Sequence, residues 1–153
     1  VCSSDLFYIY EGKPNSTFRY LAFPHFNTGL SFFWGASVQR ENWSLQISEN
    51  TNVGVHVEIL GKYTTPVLIE YKGHLREISI VFKPAGLNRF FKDSYFLLAP
   101  NFSQELKNDV WGEFGESLFS SDIEISKIES FLLSQFCDNQ KISIIEKIGR
   151  AHV

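Results

Sequence analysis

Residues 66–87 read PVLIEYKGHLREISIVFKPAGL and set the pattern for the whole chain. Two runs rich in β-branched and aromatic residues, 67–71 and 77–82, flank the turn residues Lys72-Gly73-His74. A glycine-containing turn between two such runs favours a β-hairpin. Pro84 follows the second run, and a proline suits the first turn of a helix because its missing N–H has no helical partner there. The stretch therefore predicts strands that give way to helices near Pro84.

The chain before residue 66 continues the strand pattern. Short runs of β-forming residues recur at a spacing of roughly ten residues, and Gly, Pro and Asn separate them. This spacing favours a sandwich or a barrel over alternating βαβ units. The further predicted strands are 8–10, 18–23, 30–34, 43–47 and 54–60.

Apolar residues recur at helical spacing after Pro84. A short helix is expected directly after the proline, and residues 103–118 show a second helical pattern that Gly112 and Gly115 weaken. Residues 122–137 show the clearest pattern, with Asp122 as a candidate N-cap. A further periodic stretch begins at residues 142–147. The sequence thus predicts an α+β fold, with an antiparallel β-barrel or sandwich followed by two to three α-helices.

Composition limits the function classes. The 153 residues carry 44% apolar and 16% aromatic side chains, which is enough for one domain with a sizeable core. The formal charge of −3 argues against a nucleic-acid-binding surface, because such a surface needs clustered Lys and Arg. No apolar run reaches the roughly 18 residues of a membrane span, and no secretory signal pattern is seen. We therefore expect a cytoplasmic protein without membrane contact.

Both ends of the chain are expected to be artefacts. The last six residues, IGRAHV, can be encoded by DNA whose reverse complement encodes VCSSD, the first five residues. Such an inverted pair is typical of read-through into a sequencing adapter, so residues 1–6 and 148–153 are set aside from the fold prediction. Without Cys2, Cys137 remains alone, which excludes an internal disulfide and favours a reducing compartment and a structural thiol.

The motifs around Pro84 resemble an N-terminal domain of AraC-type bacterial transcription regulators. In that domain a strand ends in an aromatic residue, a basic residue, proline and glycine, and a short aromatic-bearing helix follows. Residues 66–73 and 78–87 share this pattern, although Ala85 stands where a second glycine is common. The resemblance covers residues 7–147, and its further elements are Val110-Trp111-Gly112, Leu118 and the helix 128–136.

The resemblance implies a cupin-like β-barrel over residues 7–83 and a helical dimerisation and linker region over residues 84–147. It also implies a small-molecule effector of unknown identity in the barrel and a homodimer formed through the helices. DNA would be read by a C-terminal domain with two helix-turn-helix units, which this chain does not contain. The chain is then the sensing half of a regulator and not an enzyme, and no cofactor or metal is expected.

The alternative is a cupin-like metal-dependent enzyme or small-molecule-binding protein, since cupin-type enzymes bind a metal through histidines and a carboxylate. His56 and Glu58 share one side of a predicted strand and could form part of such a site. The competing interpretation makes them the solvent face of that strand. His25 and His74 fall in predicted turns, and neither a nucleophile motif nor a phosphate-binding glycine loop is found in the sequence.

Apolar side chains at alternate strand positions form the candidate ligand pocket. If they face inward, they line the barrel mouth and suit an apolar or ring-shaped ligand. The competing interpretation is that they fill the core and leave no cavity. The residues are Phe32, Trp34, Ile69, Tyr71, Ile80 and Phe82.

One face of the predicted helix 122–137 is the candidate dimer surface. A two-fold contact through this face would match paired DNA half-sites. The competing interpretation packs the same stripe on its own domain. The residues are Ile125, Ile128, Leu132 and Phe136.

Overall fold

The computed structural model describes residues 4–61, 63–84, 86–91 and 102–137, with side chains from residue 7 onward. These residues form two β-sheets and two α-helices, which is the α+β fold that the sequence predicts. A 3₁₀ helix spans Leu87–Phe90, and the α-helices are α1 (Asp109–Phe119) and α2 (Ile125–Gln135). The strands are β1 (Ser4–Glu11), β2 (Thr17–Ala22), β3 (Thr28–Trp34), β4 (Ala36–Glu41), β5 (Ser44–Glu49), β6 (Val55–Leu60), β7 (Val67–Lys72), β8 (Arg76–Phe82) and β9 (Ser103–Glu105).

The strands form two sheets that pack face to face. Sheet A has the order β1-β8-β3-β6-β9 and is antiparallel throughout. Sheet B has the order β2-β7-β5-β4, and its central pair β5 and β7 is parallel. Over the described residues the sheets are not closed into a barrel, so the chain takes the sandwich form of the two that the strand spacing allows.

The turn at Gly73 is a corner between the sheets. Gly73 has φ +84°, a left-handed conformation that glycine adopts without steric cost. The strand before it, β7, pairs with β2 and β5, whereas the strand after it, β8, pairs with β1 and β3. The prediction of a hairpin here was therefore wrong, because a glycine turn reverses the chain between two layers as readily as within one.

Two strands lie outside the predicted runs. β4 is largely polar and pairs with β5 through a tight turn, in which Asn42 and Trp43 both have positive φ. Trp43 therefore belongs to the turn and not to the strand predicted at 43–47. β9 pairs with the edge of β6, so Ser103–Glu105 is a strand and not the start of a helix. Its partner is distant in sequence, and no local pattern reveals such a pairing.

Sheet A is buried on both faces. One face packs on α1 and α2, and the opposite face packs on sheet B. The chain therefore has two cores that share sheet A. The core on the helix side includes Leu30, Phe32, Ile78, Ile80, Phe82, Trp111, Phe114, Leu118, Ile128 and Leu132, and the core between the sheets includes Phe33, Leu45, Ile47, Val67, Ile69, Tyr71 and Leu75.

The first helix approaches sheet A closely. α1 begins after Asn108, whose side chain accepts a hydrogen bond from the N–H of Trp111. At Gly115 an added Cβ would lie 2.7 Å from side-chain atoms of Phe32 and Val55, which is closer than any ordinary contact. A glycine is therefore required where the helix crosses the sheet.

The second helix begins later than predicted. α2 starts at Ile125 with Glu124 at the N-cap position, so Asp122 is not the cap. Over the described ranges, neither α-helix is long and apolar enough to cross a membrane.

The two end segments are described only in part. β1 begins at Ser4, so residues 4–6 of the segment set aside at the N-terminus belong to a strand that pairs with β8. Residues 1–3, the segment 148–153, the periodic stretch 142–147 and Ala85 lie outside the described residues.

Candidate functional site

A row of polar side chains crosses the inner face of sheet A. The strand register places Tyr8 opposite Ser79, Ser79 opposite Ser31, and Ser31 opposite Glu58. Glu77 lies two residues from Ser79 on the same strand and therefore on the same face. Ser31, Ser79, Glu58 and Glu77 are all buried between the two sheets. Polar groups in such a place need hydrogen-bond partners, and they form two separate clusters.

The first cluster surrounds Glu77 and is called the Glu77 cluster; its members are Tyr8, Ser31, Tyr71, Glu77 and Ser79. The Tyr71 hydroxyl donates to Oε2 of Glu77 at 2.6 Å. Oε1 accepts from the Tyr8 hydroxyl at 3.2 Å and from the Ser79 hydroxyl at 2.5 Å. Ser79 also shares a hydrogen bond with Ser31. The partners that the described residues supply to this carboxyl are thus hydroxyl groups.

Burial raises the pKa of Glu77 above its ordinary value, and the hydroxyl donors offset only part of this effect. Its side chain has no solvent exposure, and a carboxylate in low dielectric is costly without a nearby positive charge. Burial also raises the pKa of Tyr8 and Tyr71, and the negative charge of an ionised Glu77 adds to the shift. The cluster therefore favours a protonated, neutral state.

The second cluster surrounds Glu58 and is called the Glu58 cluster; its members are Arg40, His56, Glu58 and Ser103. Arg40 reaches across from sheet B, donating from Nε to Oε1 of Glu58 at 2.8 Å and from Nη2 to Oε2. The Nε2 atom of His56 lies 2.8 Å from Oε2, and the Ser103 hydroxyl donates to Oε1. Burial alone would raise the pKa of Glu58, but the hydrogen bonds from His56, Arg40 and Ser103 hold it below its ordinary value.

The prediction that His56 and Glu58 form a solvent face was wrong. Both lie inside the sandwich, and Glu58 is fully buried, because sheet A is covered on both sides. Both carboxylate oxygens already accept hydrogen bonds within the cluster, and Glu105 lies 3.9 Å from Nδ1 of His56. Within the described part of the chain, no group of three or more His, Cys, Asp or Glu residues is placed to hold a metal ion. This geometry favours a structural role that ties sheet B to sheet A.

A cluster of aromatic rings lies at the edge strands β1 and β2 and is called the aromatic cluster. Its members are Tyr10, Phe18, Tyr20 and Tyr71. The Tyr71 ring is at the centre, with centroid distances of 4.6 Å to Tyr10, 6.2 Å to Phe18 and 6.3 Å to Tyr20. Phe18 and Tyr20 are 48% and 38% exposed, whereas Tyr71 is buried and reaches the Glu77 cluster. A series of ring contacts therefore joins the exposed Phe18 and Tyr20 to that cluster.

The structure divides the six predicted pocket residues among three places. Two of them, Ile69 and Tyr71, lie between the sheets, and Tyr71 belongs to the aromatic cluster. Trp34 is partly exposed and packs on Phe119 at the end of α1. The remaining three, Phe32, Ile80 and Phe82, face the helices on the opposite side of sheet A. The six do not line one pocket, because strand alternation alone does not tell which face is inward when both are apolar.

The four predicted dimer residues separate in the same way. Ile128 and Leu132 are buried in the core that α2 forms with sheet A. Ile125 and Phe136 are exposed, and Phe136 follows the last residue of the helix. Leu133, which the apolar stripe did not include, is 76% exposed.

One open concavity lies away from both clusters. It is an open groove of about 950 Å³ between β9, the start of α1 and the end of α2, lined by Phe91, Leu106, Trp111 and Phe136 among others. None of the buried carboxylates contributes to it. The aromatic cluster and the Glu77 cluster are therefore the better candidate site, because there exposed rings contact a buried polar group.

Comparisons with known proteins identify no family for this chain. Scans of protein-family models, of curated proteins and of solved structures each find no match to this chain.

Of the residues that form the candidate site, the sequence analysis singled out Tyr71 and missed the others. The signal was present as single polar residues within apolar strands: Ser31 in LSFF, and Glu77 and Ser79 in EISIVF. In a strand with both faces buried, such a residue must find a partner inside the protein. Tyr8 and Tyr10 were expected in a strand, but their partners come from β7 and β8, more than 60 residues later in the sequence.

Proposed function

We propose that the chain is the effector-sensing and dimerisation module of a bacterial transcription regulator of the AraC type, with a cupin-like sandwich as its sensing part. It acts in the cytoplasm, binds a small molecule at the aromatic cluster and forms a homodimer through its helices. DNA is bound by a helix-turn-helix domain outside this chain. The chain performs no reaction and uses no cofactor.

The observation that carries this proposal is the two-sided burial of sheet A. Its inner face bears the Glu77 cluster, and its outer face packs on the helices. Consecutive residues of one strand point to opposite faces, so Ser31 belongs to the cluster while Phe32 contacts the ring of Phe114 on α1 at a centroid distance of 5.8 Å. A ligand that displaces residues on the inner face therefore also moves their neighbours along the strand, and those neighbours contact the helices.

Arg76 makes a second contact between sheet A and the helices. This residue precedes Glu77 on β8 and faces outward, where its guanidinium lies 5.1 Å from the ring centre of Phe119 and 6.0 Å from that of Trp34. It also donates to the backbone carbonyl of Phe119 at 3.4 Å. A basic group at the C-terminal end of α1 suits the negative end of the helix dipole. Arg76 thus joins the strand of the candidate site to the end of α1.

The reading frame beyond Lys147 in the source DNA tests the proposed function. A following region with two helix-turn-helix patterns is the expected result, because the module needs a DNA-binding partner domain. A stop codon directly after Lys147 would contradict it. That outcome would favour a small-molecule-binding protein that acts alone.

The dimer part has its own test in solution. The exposed apolar residues of α2, Leu133 and Ile125, are the surface available for a two-fold contact, whereas Leu132 is needed for the fold. We expect wild type to sediment as a dimer and Leu133→Glu as a monomer with an unchanged melting temperature. Ser130→Glu, on an exposed polar position of the same helix, is the control. A monomeric wild type at high concentration would rule out the dimer.

A further inference from the structure

The described residues give the sandwich four edge strands, and three of them carry features that discourage pairing with another chain. β9 is only three residues long, β1 has a register shift between Ser4 and Leu6, and β4 has the charged side chain of Arg40 directed inward to Glu58. Short edge strands, bulges and inward-pointing charges each hinder the addition of a further strand to a sheet. The fourth edge strand, β2, has none of these features.

β2 presents a regular and largely apolar edge. It pairs with β7 in one unbroken register from Thr17 to Ala22, and the described strands include no partner on its other side. All residues from Thr17 to Leu21 are exposed. The only charged side chain of this strand, that of Arg19, is paired with Glu70 on β7. An unpaired edge strand of this kind offers a row of backbone N–H and C=O groups to an incoming strand.

Exposed apolar side chains lie along this edge on both faces of sheet B. Phe18 and Tyr20 are on the inner face, Leu21 is on the outer face beside its β7 partner Leu68, and Phe23 directly follows the strand. These five side chains are between 38% and 69% exposed. Together they expose on the order of 400 Å² of apolar surface, about half of what each partner buries in a standard stable complex. The edge can therefore support a weak contact that depends on concentration.

The sequence of β2 is complementary to itself in an antiparallel arrangement. A two-fold pair centred on Tyr20 places Phe18 opposite Ala22 of the second copy. The same pair places Arg19 opposite Leu21 of the second copy. A large ring then faces a small side chain, the two Tyr20 rings lie side by side, and no like charges are opposed. A pair centred on Arg19 would oppose two guanidinium groups, so the charge pattern favours the register centred on Tyr20.

We propose that β2 forms a contact with β2 of a second copy of this chain, in which the two strands pair antiparallel about a two-fold axis at Tyr20. The two four-stranded B sheets then become one continuous sheet. The inference goes beyond the proposed function, which places a contact between copies on α2. The strand contact and the helix contact use different surfaces, so each can be removed without the other.

Sedimentation velocity of the full chain, over a concentration series into the high micromolar range, tests the strand contact. The measurements use Leu133→Glu as the background, because this substitution removes the contact proposed for α2. We expect this variant to be monomeric at low concentration and to form dimers, but no larger species, as the concentration rises. A two-fold contact closes on itself, so association should stop at the dimer.

Charge changes at Leu21 test the register. Leu21→Lys brings an ammonium group opposite Arg19 of the second copy at two symmetric places, and we expect it to weaken association at least about tenfold. Leu21→Glu brings a carboxylate to the same guanidinium group and should strengthen association several-fold. Gln39→Lys adds a positive charge to β4, the opposite edge of sheet B, and should leave association unchanged. Leu21 and Gln39 are both exposed, so the melting temperature should stay the same in all three variants.

Three results would each overturn the strand contact: equal effects of Leu21→Lys and Leu21→Glu, association that continues beyond the dimer, or a monomer at every concentration. The last result would leave the β2 edge to an extended segment of another protein. A wild-type dimer that Leu133→Glu leaves intact and Leu21→Lys dissociates would keep the strand contact and contradict the α2 dimer. The reading frame beyond Lys147 remains an independent test of the regulator proposal.

Discussion

On the helix side of sheet A, Phe32 and Ile78 lie in an apolar core, whereas their strand neighbours Ser31 and Glu77 lie in a polar cluster on the opposite side. All four side chains are fully buried. The helix side is held by close packing, which responds to changes in volume. The inner side is held by hydrogen-bonded charges and hydroxyls, which respond to pH and to the loss of a partner. One sheet therefore carries two kinds of sensitivity.

The strongest expected effect comes from removing the counter-charge on the inner side. Arg40→Met leaves the fully buried Glu58 without its cation, and we expect a loss of about 3 kcal/mol in the free energy of unfolding, the low end for a broken buried pair because the Arg40 side chain is 30% exposed. Urea unfolding followed by tryptophan fluorescence measures it. The double variant Arg40→Met/Glu58→Gln should recover part of the loss. A single variant as stable as wild type would show that the pair contributes nothing.

The helix side should respond instead to added volume. Gly115→Ala places a methyl group 2.7 Å from Phe32 and Val55, and we expect a loss of about 2 kcal/mol. Gly112→Ala, on the same helix with nothing within 4 Å, should gain up to about 1 kcal/mol from helix propensity. Both values should be independent of pH. Equal effects of the two substitutions would mean that α1 does not press on the sheet as described.

The smallest expected effect is a difference in how the stabilisation contributed by Glu77 and by Glu58 depends on pH. The raised pKa of Glu77 means that the folded state holds its proton more tightly than the unfolded chain, so the stabilisation it contributes is present at low pH and is lost as pH rises above the ordinary value of 4.5. The lowered pKa of Glu58 has the opposite sign, so its contribution is present above 4.5 and is lost as pH falls.

Paired glutamine variants measure this difference. Relative to wild type, Glu77→Gln should become more stable as pH rises and Glu58→Gln as pH falls, each by at most about 1.4 kcal/mol per pH unit. Unfolding free energies at several pH values between acid and neutral test both. Parallel pH profiles of the two variants would show that the clusters do not differ in protonation.

Much of the strand pattern could be predicted, because β-forming runs and turn residues are local signals. Seven of the eight strands before the helices overlap a predicted run, and of these eight only β4 lies outside. The sheet to which each strand belongs could not be predicted. The same kind of glycine turn can join two paired strands of one sheet or two strands of different sheets. β4 and β9 depend on partners that a local pattern does not contain.

The candidate site was harder to predict than the fold for a physical reason. In sheet A both faces are covered, so Phe32 and Phe33 look alike in sequence although one faces the helices and the other faces sheet B. Polar residues such as Ser31 and Glu77 mark the inner face only once their partners Ser79 and Tyr71 are known. The hydrogen-bond partners of Glu77 come from three strands, so no fixed spacing along the sequence predicts the site.

Arg76 and Glu77 are neighbours on β8 whose side chains lie on opposite faces of sheet A. Because the two side chains leave the strand in opposite directions, any rotation of β8 about its long axis carries them in opposite senses. A tilt that displaces Glu77 therefore also moves the Arg76 guanidinium relative to Phe119. A displacement on the inner face of sheet A therefore has only the thickness of one strand to cross before it reaches the helices.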